Sequence, residues 1–290
     1  MPDPHQPKNR DLAAKLLRAA EPLDLTQRAE QPAQVGPYRV LRTLGSGGMG
    51  VVYEATRPDA PERRVAIKVL TEGAEAQPQE RQRFVREVRA LAAIAHPNVA
   101  RVRDVGEHEG ALFVALDLLP GGSLKALYER AAPLPPERVA ELGVQLAEGL
   151  AAAHAEGLLH RDVKPENVLL DASGRPVLCD FGLAKALLVN EESQALTQSW
   201  VVLGTPGYLA PEQASTGDVG PTADVYGLGA TLYFLLCGRP PVVGDTPASV
   251  VAGAACQTPP PLRSFRDDVP PWLEGAILRC LERDPAARWQ

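Results

Sequence analysis

From Tyr38 the chain alternates apolar and polar positions, and beyond Ser123 it changes period. Tyr38-Arg39-Val40-Leu41-Arg42-Thr43-Leu44, Val51-Val52-Tyr53-Glu54-Ala55 and Val65-Ala66-Ile67-Lys68-Val69-Leu70 are short runs rich in β-branched and aromatic residues. Such runs predict strands. From Gln79 to Ala95 the spacing becomes helical, with Phe84, Val88 and Leu91 on one face. Two more short strands are predicted over 99–105 and 112–117, and Pro120-Gly121-Gly122 then breaks the chain. Later segments are mainly helical: a long Ala- and Leu-rich helix from Pro136 to Glu156, then Ala223–Cys237, Pro247–Cys256 and Pro271–Arg283. The pattern predicts an α+β protein of two unequal lobes. One is small and β-rich with one main helix (37–118). The other is larger and helical (119–290), and a cleft between them is the place for a ligand. Residues 1–36 are rich in Pro, Gln and Glu. They read either as a disordered tail or, over 11–20 with Leu12, Leu16 and Leu17 on one face, as a short docking helix.

Composition narrows the partners. The formal net charge is −6, with no basic stripe, so nucleic acid is not an expected partner. Cys179, Cys237, Cys256 and Cys280 are widely spaced and read as reduced cysteines of an intracellular protein, not as a zinc site. No apolar run follows the N-terminus, and the stretch from Leu228 to Cys237 is too short to span a bilayer. A cytoplasmic location is expected. Arginine greatly outnumbers lysine, a bias of GC-rich bacterial genomes.

The chemistry begins at Gly45-Ser46-Gly47-Gly48-Met49-Gly50-Val51-Val52, a G-x-G-x-x-G-x-V loop. A dinucleotide site would need a helix after the loop, and here a strand follows. Glycines at a strand-to-strand turn let backbone N–H groups approach a triphosphate. Lys68 sits between Ile67 and Val69, where it is expected to be partly buried and to need a partner. Glu87 on the next helix is that partner, and the pair would hold the α- and β-phosphates.

Further on stand His160-Arg161-Asp162-Val163-Lys164-Pro165-Glu166-Asn167 and Asp180-Phe181-Gly182. Asp162 suits the proton of an attacking hydroxyl, and Lys164 would reach the γ-phosphate from its side. Asn167 and Asp180 offer hard oxygen ligands, which favour Mg²⁺ or Mn²⁺.

From Tyr38 to Gln290 these motifs, in this order, resemble the catalytic domain of bacterial eukaryotic-like Ser/Thr protein kinases. The resemblance implies the two-lobed protein kinase fold, ATP with Mg²⁺ (or Mn²⁺), and transfer to protein hydroxyls. It makes Asp162 the base and Lys68 with Glu87 the activating pair. It assigns the loop from Leu44 through Gly45, Ser46, Gly47, Gly48, Met49, Gly50, Val51 and Val52 to ATP. Leu116 becomes the gatekeeper, Asp117 and Leu119 the hinge, and Val52, Ala66 and Leu169 the adenine sandwich. Leu91, Val102, His160 and Phe181 would stack as a spine. Ala210-Pro211-Glu212 would close the activation segment, with Glu212 paired to Arg288, and Asp224 would brace the loop of Asp162.

Lys164, with Gly204-Thr205-Pro206-Gly207-Tyr208, resembles the Ser/Thr class rather than tyrosine kinases, with Thr205 in a structural role near Asp162 and Lys164. The segment between Gly182 and Ala210 carries Ser193, Thr197 and Ser199. Thr197 and Ser199 resemble an autophosphorylation pair, with Arg161 and Lys185 as partners for the phosphate. A polar loop with incidental hydroxyls is the plainer reading. The expected partners are protein substrates and a second copy of the chain, in autophosphorylation or as a homodimer. The rival readings are a pseudokinase, which would have lost Lys68, Asp162 or Asp180, and a small-molecule kinase, which would lack the closing motifs. Gly227 departs from the family's Ser or Ala, and the family continues through one more helix after Gln290. A longer protein, with a membrane span or sensor domain elsewhere, is therefore expected.

Overall fold

The computed structural model describes residues 32–47, 50–70, 78–182, 206–214 and 219–290. These cluster as two compact units. The first holds described residues up to 95 together with 100–118; the second holds 96–99, 119–182 and those from 206 onward.

The first unit is a six-stranded antiparallel sheet. Its strands are β1 (Gln34–Val35), β2 (Tyr38–Gly47), β3 (Gly50–Arg57), β4 (Ala60–Val69), β5 (Val102–His108) and β6 (Ala111–Asp117), in the order β1-β2-β3-β4-β6-β5. Residues on alternate sides of each strand explain the burial. One face buries Tyr38, Val40, Ala55, Val65, Ile67, Phe113 and Ala115 in a common core. Directly paired residues share a face, so the pairs Val52–Lys68 and Ala66–Leu116 place all four side chains on the other face. Helix α1 (Pro78–Ala93) buries Phe84, Val88 and Leu91, as its spacing predicts, and packs beside β5.

The strand expected over 99–105 begins instead at Val102. Residues 96–99, a little before it, belong to the second unit. There the buried Asn98 donates its Nδ2 to the carbonyl of Pro176 at 2.7 Å and accepts from the Leu178 N–H at 2.8 Å. Those bonds draw Val99 into a bridge with Leu178, away from the sheet.

The second unit is helical except for a hairpin, β7 (Val168–Leu170) with β8 (Pro176–Leu178), that the residue pattern does not show. Helix α2 (Leu124–Ala131) starts where the Ser123 hydroxyl accepts from the Ala126 N–H. Helix α3 (Pro136–Ala155) buries Val139, Leu142, Leu146, Leu150 and Ala153, a stripe at helical spacing. Helix α4 (Pro221–Cys237) is buried nearly all round, packs on α3 and α6, and ends at Gly238 in the left-handed conformation. Helices α5 (Pro247–Cys256) and α6 (Pro271–Cys280) complete the unit. The last stops short of the expected Arg283, because Asp284 caps a separate turn over Pro285–Ala287. Among the described residues, no helix is long and apolar enough to cross a membrane.

Candidate active site

In the first unit, sheet register delivers the expected nucleotide-binding side chains. β2 and β3 close on Gly47 opposite Gly50, and the ladder shifts register around Leu44, between Thr43 and Gly45. Gly50 has φ +139°, and a Cβ there would lie 2.0 Å from the Val69 carbonyl oxygen. No other residue type fits that position. Among the described residues, a Cβ on Gly45 or Gly47 would meet no atom within 4 Å. Packing among the described residues therefore does not require those two glycines. Both are the positions where the sequence leads one to expect backbone approach by a phosphate, and Ser46 is exposed on the same turn. Val51, Val52, Ala66 and Lys68 are half-buried. The partial burial expected of Lys68 is present, although its apolar neighbours Ile67 and Val69 point to the opposite face of the sheet. Lys68 and Glu87 each have interaction partners within the structure. Asp117 is tied by its N–H to the Arg101 carbonyl and by its carboxylate to Arg103.

In the second unit, the loop between α3 and β7 gathers the expected catalytic residues. Lys164 Nζ lies 2.9 Å from Asp162 Oδ2. Asn167 donates its Nδ2 to the same carboxylate oxygen and to the Asp162 carbonyl, both at 2.8 Å. The Pro165–Asn167 turn and the start of β7 set that geometry. The segment carrying Asp180 is fastened to this loop at three points: the Cys179 N–H to the Asn167 carbonyl at 2.9 Å, the Gly182 N–H to the His160 carbonyl at 3.2 Å, and His160 Nε2 to the Cys179 carbonyl at 2.8 Å. The rings of His160 and Phe181 stack at 4.5 Å, so that half of the expected spine is formed within this unit. Arg161 and Asp180 both occupy left-handed backbone, at φ +62° and +61°. Such conformations carry a cost and gather at functional loops. Leu169 faces the other way from the buried Val168 and Leu170, consistent with a ligand-facing role, and Leu119 is half-buried.

Asp224 sits buried in α4 and accepts from the backbone N–H groups of His160 at 2.8 Å and Arg161 at 2.7 Å. The brace expected of it is in place. One partner of Asp224, and one further tie to the same loop, had no signal in the sequence. His154 Nε2 lies 2.8 Å from Asp224 Oδ2, and Gln213 links the Ala-Pro-Glu turn to the Arg161 carbonyl. Neither residue type stands out in a single chain, because each acts through partners far away in sequence. The expected pair of Glu212 with Arg288 is bidentate, at 2.6 and 2.9 Å. Cys179 is buried, and its thiol donates to the Val177 carbonyl. Burial, then the neighbouring Asp180, pushes that thiol's pKa well up, so it is a core cysteine and not a nucleophile.

The donor set suits a divalent cation with nucleotide. Both Nδ2 bonds of Asn167 run to Asp162, and neither engages its amide oxygen, the atom expected to meet a metal. Among the described residues, no three His, Cys, Asp or Glu side chains gather as a metal cage. Asn167 and Asp180 together match a Mg²⁺ that takes few protein ligands and completes its shell with water and phosphate. Gly48, Met49, Lys185, Ser193, Thr197, Ser199 and Thr205 lie outside the described residues. A separate apolar cavity of about 800 Å³, lined by Leu150, Leu228, Trp272 and Ile277 among others, contains none of the expected site residues.

Comparison with known proteins gives one consistent answer. The protein kinase domain family matches residues 38–290. Serine/threonine-protein kinase PknE of Mycobacterium bovis is 38% identical over 267 residues, covering 92% of this chain and 46% of that protein. Serine/threonine-protein kinase pkn2 of Myxococcus xanthus is 41% identical over 260 residues, covering 88% of this chain and 31% of that one. The chain thus spans less than half the length of these curated relatives. Among solved structures, the PknI kinase domain of Mycobacterium tuberculosis superposes with a TM-score of 0.68 at 33% identity, covering 90% of this chain and 94% of that one.

Proposed function

The chain belongs to the protein kinase domain family, and from that premise we propose that it transfers the γ-phosphate of ATP to Ser or Thr hydroxyls of protein substrates. The observation that carries this reading is the Asp162 carboxylate, held by Lys164 at 2.9 Å and Asn167 at 2.8 Å. Asp162 accepts the proton of the incoming hydroxyl. Asn167 fixes the rotamer of that base. Lys164 holds positive charge where the transferring group becomes most anionic, which is the kind of preorganised electrostatics this reaction depends on. Asn167 and Asp180 would hold Mg²⁺ with ATP, which would supply the phosphoryl group and the charge that neutralises it. Lys68 with Glu87, and the backbone of Gly45 to Gly50, orient the phosphates. Leu44, Val51, Val52, Ala66, Leu116, Asp117, Leu119 and Leu169 are the residues assigned to the nucleotide by the family resemblance.

Regulation belongs to the same reading. Phosphate on Thr197 or Ser199, placed there by another copy of the chain, would pair with Arg161 and Lys185 and order the segment before Ala210. Supporting this, Arg161 directly precedes the base and its backbone is already fixed at both ends. The reaction needs ATP, which puts this domain in the cytoplasm. Its protein substrates follow from the Ser/Thr class of its relatives.

The test is transfer of labelled phosphate to a generic basic protein and to the chain itself. Asp162→Asn should lower transfer about 10³-fold while nucleotide binding persists. Nucleotide binding with no transfer by the parent would instead establish a pseudokinase. Sites labelled on the active parent should include Thr197 or Ser199, and T197A/S199A should depress activity; unchanged activity in that double variant would remove the regulatory part alone.

A further inference from the structure

Arg161 stands immediately before the base and is held in a conformation that non-glycine residues avoid, φ +62°. Left-handed backbone is unfavourable for such a residue, so the surroundings must impose it. One side is explained by Asp224, whose Oδ1 accepts from the Arg161 N–H at 2.7 Å. The other side of the same residue is its carbonyl, and there the partner is Gln213.

Gln213 is buried in the short turn Pro211–Ala214. Its Nε2 donates to the Arg161 carbonyl at 3.0 Å, and its Oε1 accepts from the Ala210 N–H at 3.1 Å. Only one orientation of the amide satisfies both bonds, because one partner is a pure acceptor and the other a pure donor. The turn closes on itself as well, through the Gln213 N–H to the Ala210 carbonyl at 3.0 Å. Among neutral side chains of this length, only an amide offers a donor and an acceptor at fixed separation. A hydrocarbon would leave two buried backbone groups without partners, and a carboxylate would set negative charge against the Arg161 carbonyl.

We propose that Gln213 is a positioning residue: with Asp224 it clamps Arg161 from both ends, and so couples the Ala-Pro-Glu turn to the placement of Asp162. The inference rests on the kinase reading for its catalytic consequence, though not for the clamp itself. Gln213 touches no reacting atom. Without it the Arg161 peptide is free to relax toward ordinary backbone and carry Asp162 with it. A shift of about 1 Å at a catalytic group is enough for a loss of about 10²-fold. Neither Gln213 nor Arg161 is among the residues assigned to the nucleotide, so the loss belongs in kcat and not in the KM for ATP.

The experiment compares the parent with Gln213→Met, which keeps the volume and removes both bonds, and Gln213→Glu, which keeps the acceptor and can donate only when protonated. Amide hydrogen exchange over residues 160–163 is read beside kcat and the KM for ATP. Q213M should lower kcat by about 10- to 100-fold, leave the KM for ATP within about twofold, and speed exchange at Arg161 and Asp162. Q213E should be impaired at about pH 8, and its activity relative to the parent should recover toward about pH 6 as the carboxyl takes a proton. A residue that merely fills space would not show that recovery. If Q213M does not fold, the pH ratio of Q213E still decides: a flat ratio overturns the proposal. Folded Q213M with parental kcat and parental exchange overturns it too. A parent without phosphotransfer would count against the kinase reading, and the exchange measurement would still test the clamp.

Discussion

His160 holds its neutral tautomer because its two ring nitrogens face opposite partners. Nε2 lies 2.8 Å from the Cys179 carbonyl and must carry the proton, while Nδ1 accepts from the Asp162 N–H at 3.3 Å. A second proton on the ring would break the bond to Asp162. Complete burial lowers the pKa of this histidine, against the opposing pull of Asp224, Asp162 and Asp180. The sign of its effect on stability follows. The unfolded ring takes up a proton as pH falls below about 6.5, and the folded ring does not until its own lower pKa is reached. His160 therefore contributes stability above about pH 6.5 that is lost as pH falls through that window, with a slope approaching 1.4 kcal/mol per pH unit at most. In His160→Phe this component should vanish, although the variant is less stable at every pH because the Cys179 carbonyl and Asp162 N–H lose a partner. Urea unfolding of both proteins across about pH 5–8 checks it by difference, which cancels the other histidines. Equal slopes in the two proteins would refute the assignment.

Helix α4 shows what an element can hide from its own sequence. Gly227 reads as a poor choice in mid-helix, costing up to about 1 kcal/mol relative to Ala, and nothing nearby in sequence explains it. The structure does: a Cβ at Gly227 would lie 2.9 Å from the Cβ of Val163 and 3.0 Å from its carbonyl oxygen. Val163 stands next to Asp162, the proposed base. Two residues on, a Cβ at Gly229 would lie 2.5 Å from the Cβ of Cys280 in α6. The two glycines thus let one helix meet the loop and a neighbouring helix at backbone distance. Such contacts join residues more than fifty apart, which is why periodicity could place α4 but not account for its glycines. The β7–β8 hairpin was missed for the same reason, since its strands are three residues each and are held by partners such as Asn98. The prediction contrasts two substitutions. Gly275→Ala in α6, where a Cβ meets nothing within 4 Å, should raise stability by about 0.5–1 kcal/mol and leave activity alone. Gly227→Ala should forfeit that gain and lower kcat, because the loop must move. Denaturant midpoints with steady-state rates separate them, and parental kcat in G227A would show that the close approach does not position the base.

At the scale of the molecule, the motifs and their order were legible because phosphoryl transfer needs particular residue types at fixed spacing, and the strand-rich and helical units because their periods differ. What the chain alone could supply only by resemblance is how distant parts are tied, and Arg288 is the clearest case. Its side chain is fully buried and forms a bidentate pair with Glu212, 76 residues away, at 2.6 and 2.9 Å. The same guanidinium donates to the carbonyls of Glu282, Thr222 and Arg283 and lies 5.0 Å from the centre of the Tyr226 ring. Every nitrogen is used, and the planar fork meets both carboxylate oxygens, so lysine cannot replace it. Burying the two charges has its own desolvation cost, which makes the intact pair a modest net source of stability. Breaking it is different, because Glu212 would be left charged and nearly enclosed. Arg288→Ala should therefore cost about 3–5 kcal/mol. Arg288→Lys should recover little of this, and raised salt should hardly change either loss, since a buried pair is poorly screened. Equilibrium unfolding at low and high salt reads all three effects. A lysine variant within about 1 kcal/mol of the parent would mean that charge alone, and not the bidentate fork, ties the end of the activation segment to α4 and the turn that carries Arg288.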